Sequence, residues 1–150
     1  MDFGLRRIGL AISDPSGTLA RPWKTLGAGE TPQASASVVA AVVADLRADA
    51  ETDSEVADVV VGVPTRLNGE ETDQTRAARE FARSLHVATG LRVHLQDERL
   101  TSHEADLLLA QRERDWRRRK EKLDAAAAAI ILQDYLDQRA RMTEEPDPGC

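Results

Sequence analysis

Apolar and polar positions change period several times along the chain, and each change marks an element. Asp2-Phe3-Gly4, a polar Leu5-Arg6-Arg7 step and the apolar residues 8–12 read as a strand, a tight turn and a second strand. Pro15-Ser16-Gly17 is a turn. Residues 19–26 form a third strand, pushed toward a sheet edge by Pro22. Thr31-Pro32 then caps a helix carrying Val38, Val39, Val42, Val43 and Leu46, which ends near Ala50. Residues 56–63 are a β-branched apolar run, the pattern of a central strand buried on both faces, closed by Gly62-Val63-Pro64. A loop with Asn68-Gly69 follows. The second helix starts near Thr72-Asp73, carries Ala77, Ala78, Phe81, Ala82 and Leu85, and stops at Gly90. In residues 91–95, Val93 and Leu95 alternate with Arg92 and His94, a half-buried strand. Thr101, with Glu104 three residues on, opens a third helix. A fourth starts at Leu123-Asp124, with Ile130, Ile131, Leu132, Tyr135 and Leu136 on its apolar side.

Three early strands joined by turns, then strands alternating with helices, predict an α/β fold with a mixed sheet covered on both faces. The expected organisation is one domain over residues 1–140 and a disordered acidic tail over 141–150.

Composition narrows the classes. The 150 residues include 3% aromatics, so Val, Leu, Ile and Ala must make the core, and base stacking is a poor binding mode. No apolar run approaches the roughly 18 residues of a membrane span, and no charged-then-apolar leader opens the sequence. The lone cysteine is Cys150. These features fit a reducing cytoplasm and exclude a membrane partner. The net charge of −6 argues against a uniformly basic nucleic-acid coat. Residues 112–122 are nonetheless locally basic, with seven Lys or Arg against three acids.

The candidate chemistry lies in acids placed at element ends. Asp97 and Glu98 sit where a strand hands over to a helix, the position where sites gather in open α/β sheets. Asp2 heads the first strand, and Asp124 opens the last helix. The reading is that Asp2, Glu98 and Asp124 converge on one divalent-metal site. Each also has an ordinary role: a helix-dipole acid at Asp124, a solvated acid at Glu98. Arg7 and Arg99, beside these acids, are either phosphate contacts or structural ion pairs. Asn68-Gly69 is a turn that could offer backbone N–H groups to a phosphate. Arg117, Arg118, Arg119 and Lys120 belong either to a solvated helix face or to a mobile nucleic-acid clamp. His86, His94 and His103 lack the spacing of a zinc site.

Four motifs in order, Asp2-Phe3-Gly4 with Arg7-Ile8-Gly9, Gly62-Val63-Pro64 with Asn68-Gly69, residues 97–101 (Asp-Glu-Arg-Leu-Thr) and residues 124–132, resemble the YqgF family, also called RuvX. The resemblance covers about residues 2–137. It implies a ribonuclease-H-like fold, a five-stranded sheet with three antiparallel and two parallel strands. It implies a nuclease with Asp2, Glu98 and Asp124 as catalytic and metal-binding residues, using two Mg²⁺ or Mn²⁺ ions. The implied substrate is structured nucleic acid, the 5′ end of pre-16S rRNA first. A four-way DNA junction is the alternative, as is a non-catalytic RNA-binding assembly factor. The protein would act as monomer or homodimer. The family places several apolar residues before its first aspartate, whereas only Met1 precedes Asp2 here. The expectation is therefore a start upstream of Met1 and, without those residues, a fraying strand end at Asp2.

Overall fold

The computed structural model describes residues 1–48, 56–65, 68–98 and 116–144. The expected third helix, together with Arg99 and the tail beyond residue 144, lies outside these residues. The strands are β1 (Asp2–Phe3), β2 (Arg7–Ser13), β3 (Ala20–Gly27), β4 (Asp58–Val63) and β5 (Arg92–Asp97). The helices are α1 (Pro32–Ala48), α2 (Asp73–Thr89) and α3 (Trp116–Glu144).

The caps explain two helix starts. Thr31 Oγ1 accepts the Ala34 N–H at 3.0 Å, with Pro32 as the first helical residue. Thr72 and Thr75 form a reciprocal capping box at the start of α2. Gly90 ends α2 in the left-handed region at φ 71°, its N–H bonded to the His86 carbonyl.

β1, β2 and β3 form an antiparallel sheet, and β4 pairs β5 in parallel. Among the described residues the strands form two pieces rather than the single sheet expected. Backbone bonds join the pieces at Met1, whose amino group donates to Val60 O at 2.6 Å while its carbonyl accepts the Gly62 N–H at 2.9 Å. Bonds to the residues on either side of Val61 are the pattern of a parallel pairing. The join is one residue wide because β1 itself is two residues long. Asp2 is nevertheless held in register, opposite Gly9, rather than standing off the sheet. β3 lies at the edge, with a register shift where Leu10 faces Lys24 and Ala11 faces Pro22. The irregularity tolerates the missing N–H of Pro22.

Alternation along the strands sorts two faces. Phe3, Ile8, Leu10, Val59 and Val61 point to one face and share a core with Ala36, Val39 and Val43 of α1 and Ala78, Phe81 and Leu85 of α2. Phe3 stacks on Phe81 with centroids 4.7 Å apart. The intervening positions, Gly9 and Gly62 among them, face α3. There Ala127, Ala128 and Ile131 are buried.

α3 differs from expectation at both ends. It begins at Trp116 rather than at Leu123-Asp124, and it continues to Glu144, into the segment expected to be disordered. Arg, Lys and Ala are good helix formers, and no Gly or Pro interrupts residues 116–144. β5 departs as well: Leu95 is 49% exposed, whereas Gln96 and Glu98 are buried. Gln96 and Glu98 share a face at i, i+2, so Leu95 faces away from it.

Candidate active site

The carboxylates expected to meet come from three elements. Asp2 stands in β1, opposite Gly9 in β2. Glu98 follows β5 and is anchored by its N–H to Val63 O at 3.2 Å. Asp124 lies in α3, about two turns from the start of that helix. A helix dipole acts mainly over its first turn, so position mid-helix removes that ordinary role.

Two glycines make the convergence possible. A Cβ at Gly9 would fall 1.9 Å from the Asp124 carbonyl oxygen, so only glycine lets α3 approach β2 so closely at that residue. A Cβ at Gly62 would fall 2.8 Å from Glu98 Oε2 and 2.6 Å from Ile131 Cδ1. The Glu98 carboxyl therefore occupies the space above β4 that a side chain would fill. Gly9 fits the expectation of close backbone approach. Gly62 belongs to the Gly62-Val63-Pro64 step expected to close its strand, and β4 does end at Val63; there Gly62 also makes room for Glu98. A glycine within a β-branched run is the sequence signal for such an approach.

Arg7 and Gly9 lie two residues apart on the same face of β2. Arg7 Nε donates to Asp124 Oδ2 at 2.7 Å. The ion-pair reading of Arg7 is thus the geometry observed. Asp97 is exposed, and its Oδ1 accepts the Thr65 hydroxyl at 2.8 Å. Asn68 sits in an exposed turn where its side-chain oxygen accepts the Glu70 N–H at 3.0 Å and Gly69 takes φ 86°. Arg117, Arg118, Arg119 and Lys120 lie in the first turns of α3, within about 10 Å along the axis of Asp124. That segment is helix, not a separate element preceding it.

The electrostatics follow from burial and crowding of like charge. Burial pushes the Glu98 carboxyl up to about 9, and the Asp2 charge and a hydrogen bond with Asp2 push the same way. Asp2 is also raised, first by burial; Glu98's hydrogen bond and the Met1 ammonium oppose this, and Asp124 adds to it. Burial and the neighbouring Asp2 charge thus both favour the protonated form of Glu98. Asp124 is near enough to be felt by Asp2. Glu98 Oε2 is buried with no hydrogen-bond partner among the described residues. A small cavity of about 190 Å³ opens beside the pair, bounded by Gly4, Leu5, Pro64 and Gln74.

Hard carboxylate oxygens, one of them an orphan, are a donor set that suits Mg²⁺ or Mn²⁺. Among the described residues, no group of three or more His, Cys, Asp or Glu side chains is closely enough gathered to hold an ion as it stands.

Comparison with known proteins follows the same lines. Koribacter versatilis (strain Ellin345) has a relative 38% identical over 146 residues, 97% of this chain and 90% of that protein. One from Maridesulfovibrio salexigens is 40% identical over 136 residues, 91% of this chain and 94% of that protein. Another from Moorella thermoacetica is 38% identical over 138 residues, 92% of each. All three carry the name "Putative pre-16S rRNA nuclease". The family model described as "RuvX: Holliday junction resolvase" matches residues 1–138. With that span matched, the chain belongs to the RuvX family.

Proposed function

We propose that this protein is a metal-dependent nuclease of the cytoplasm that hydrolyses phosphodiester bonds in structured nucleic acid. The 5′ end of pre-16S rRNA is its first candidate substrate. The observation that supports this most is the buried Asp2–Glu98 pair, with Asp124 on the same face. Such crowding is unfavourable without a cation and becomes useful with one. The relatives named for pre-16S rRNA supply the substrate class.

Asp2, Glu98 and Asp124 would hold the metal. Two Mg²⁺ or Mn²⁺ ions bound there would supply an activated water and neutralise charge on the leaving oxygen. The chain's own residues do the rest. Gly62 keeps the Glu98 carboxyl over β4, and Gly9 brings α3 onto β2. Arg7 fixes Asp124 through Nε, leaving the rest of its guanidinium to face a phosphate. Arg99, Arg117, Arg118, Arg119 and Lys120 are the proposed backbone contacts, with Asn68 at the loop after β4.

A direct test incubates the protein with Mg²⁺ or Mn²⁺ and offers precursor 16S rRNA and a four-way DNA junction side by side. Cleavage of the rRNA, lost in Asp124→Asn with binding kept, is the expected result. Undiminished cleavage by that variant removes Asp124 from the site. Binding without cleavage by the unaltered protein would instead favour an assembly factor. The description of the matched family favours one second reading, cleavage of the junction, which a symmetric homodimer with two sites would serve.

A further inference from the structure

The small cavity beside the acid pair has a second side. Asp2 and Glu98 form one wall, and α2 forms the other through Gln74 and Ala77. Leu5 and Pro64 complete an apolar rim. Leu5 is 66% exposed in the turn between β1 and β2, beside the acids and outside the core. Among the described residues lining the cavity, Gln74 alone, outside the acid pair, carries a hydrogen-bonding side chain.

The start of α2 fixes where that side chain stands. Thr72 and Thr75 form the capping box, and the Thr75 hydroxyl also donates to the Pro64 carbonyl, which ties the helix to the end of β4. Asp73 pairs with Arg76. Gln74 is left over: its amide makes no hydrogen bond to the described residues, and it stands at the cavity.

Size and neighbours define the ligand. At about 190 Å³ the cavity is smaller than the roughly 300–1,000 Å³ that holds a drug-sized molecule, so it takes one ring and not a whole nucleotide. The ring next to a phosphate held at the carboxylates is its sugar, and the base lies farther out. Leu5, Pro64 and Ala77 offer that sugar apolar contact. A ribose 2′-hydroxyl both donates and accepts, and so does the Gln74 amide. We propose that this cavity is a sugar subsite in which the Gln74 amide hydrogen-bonds the 2′-hydroxyl of a nucleotide beside the cleaved bond, so that the site selects RNA over DNA. The inference rests on the nuclease reading, which puts the phosphate at Asp2 and Glu98.

The test uses the full chain with Mg²⁺ and a pre-16S rRNA segment, made as all-ribose RNA and with a single 2′-deoxy sugar on one or the other side of the cleaved bond. The parent should cut the all-ribose strand about fivefold faster than one of the deoxy strands, the worth of one hydrogen bond. Gln74→Met removes the amide but keeps the side-chain length, and methionine is a good helix former at this exposed position. That variant should cut the strands at rates within about twofold of one another. Equal rates by the parent on all strands, or undiminished discrimination in Gln74→Met, would overturn the subsite while the cleavage itself upholds the nuclease reading. If no strand is cut, the nuclease reading fails, and affinity for the same strands by fluorescence anisotropy decides the subsite. A preference of the parent for all-ribose RNA that Gln74→Met lacks would support it, and the same affinities in both proteins would overturn it.

Discussion

Glu98 Oε2 stands 2.8 Å from the point where residue 62 would place a Cβ, and Gly62 has none. A glycine next to the end of a β-branched strand thus decides where an acid 36 positions later in the sequence can rest. Gly62→Ala should displace the carboxyl and press on Ile131. Overpacking of this kind costs about 1–3 kcal/mol. Urea denaturation should show that loss, together with reduced cleavage under Mg²⁺. A variant as stable and as active as the parent would show that Glu98 moves freely.

Gly9→Ala is the harsher change. Its Cβ would meet backbone of α3, at 1.9 Å from Asp124 O, and backbone cannot swing aside as a side-chain tip can. The helix must lift from β2, so the expected cost exceeds about 3 kcal/mol. A midpoint in urea unchanged from the parent would contradict the close approach.

The Glu98 carboxyl titrates near 9 in the folded chain against an ordinary 4.5. A proton held more tightly when folded stabilises the fold fully below the ordinary value. That contribution is lost as the pH rises toward 9. The Met1 ammonium, lowered from 8.0 to about 6, works in the opposite sense and stabilises least at low pH. Comparing Glu98→Gln with the parent isolates the first group, since both retain Met1. Without metal, the variant should match the parent's stability near pH 5 and exceed it near pH 9, by an amount on the order of 1–3 kcal/mol, with a correspondingly higher Tm. A Tm difference that does not change between these pH values would place Glu98 in an ordinary environment.

If Mg²⁺ binds between Asp2 and Glu98 as proposed, it must displace the proton that burial favours on Glu98. Metal binding should release close to one proton near neutral pH, and affinity should rise with pH toward 9. Calorimetry in buffers of different ionisation enthalpy measures this. Proton-neutral binding would place the ion elsewhere.

Arg7→Lys separates charge from geometry. The Arg7–Asp124 pair is partly exposed, with side-chain exposures of 38% and 22%, so its loss should cost less than about 1 kcal/mol of stability. Lysine offers no planar fork to hold the carboxylate by one nitrogen and a phosphate by others. Cleavage should therefore fall about tenfold or more while Tm changes little. Equal activity would make Arg7 a simple ion pair.

Much of this protein was legible in local pattern. Thr31-Pro32, Thr72 and Gly90 marked helix ends because caps act within a few residues. The β-branched run at 56–63 announced the strand Asp58–Val63, buried on both sides, and placement at element ends singled out Asp2, Glu98 and Asp124 as candidates. Local pattern failed where the controlling contact is distant. The start of α3 was misplaced because Asp124 resembles a helix-opening acid, whereas α3 begins at Trp116 and Asp124, two turns in, packs on Gly9 and pairs with Arg7 of β2. Leu95 was expected inside because it is apolar, yet the face of β5 that turns to the site belongs to Gln96 and Glu98. Only the folded sheet shows that Gly62 makes the room for Glu98, and that Gly9 lets Asp124 of α3 rest against β2. Both depend on atoms brought together from far along the chain, and periodicity within one element carries no record of them.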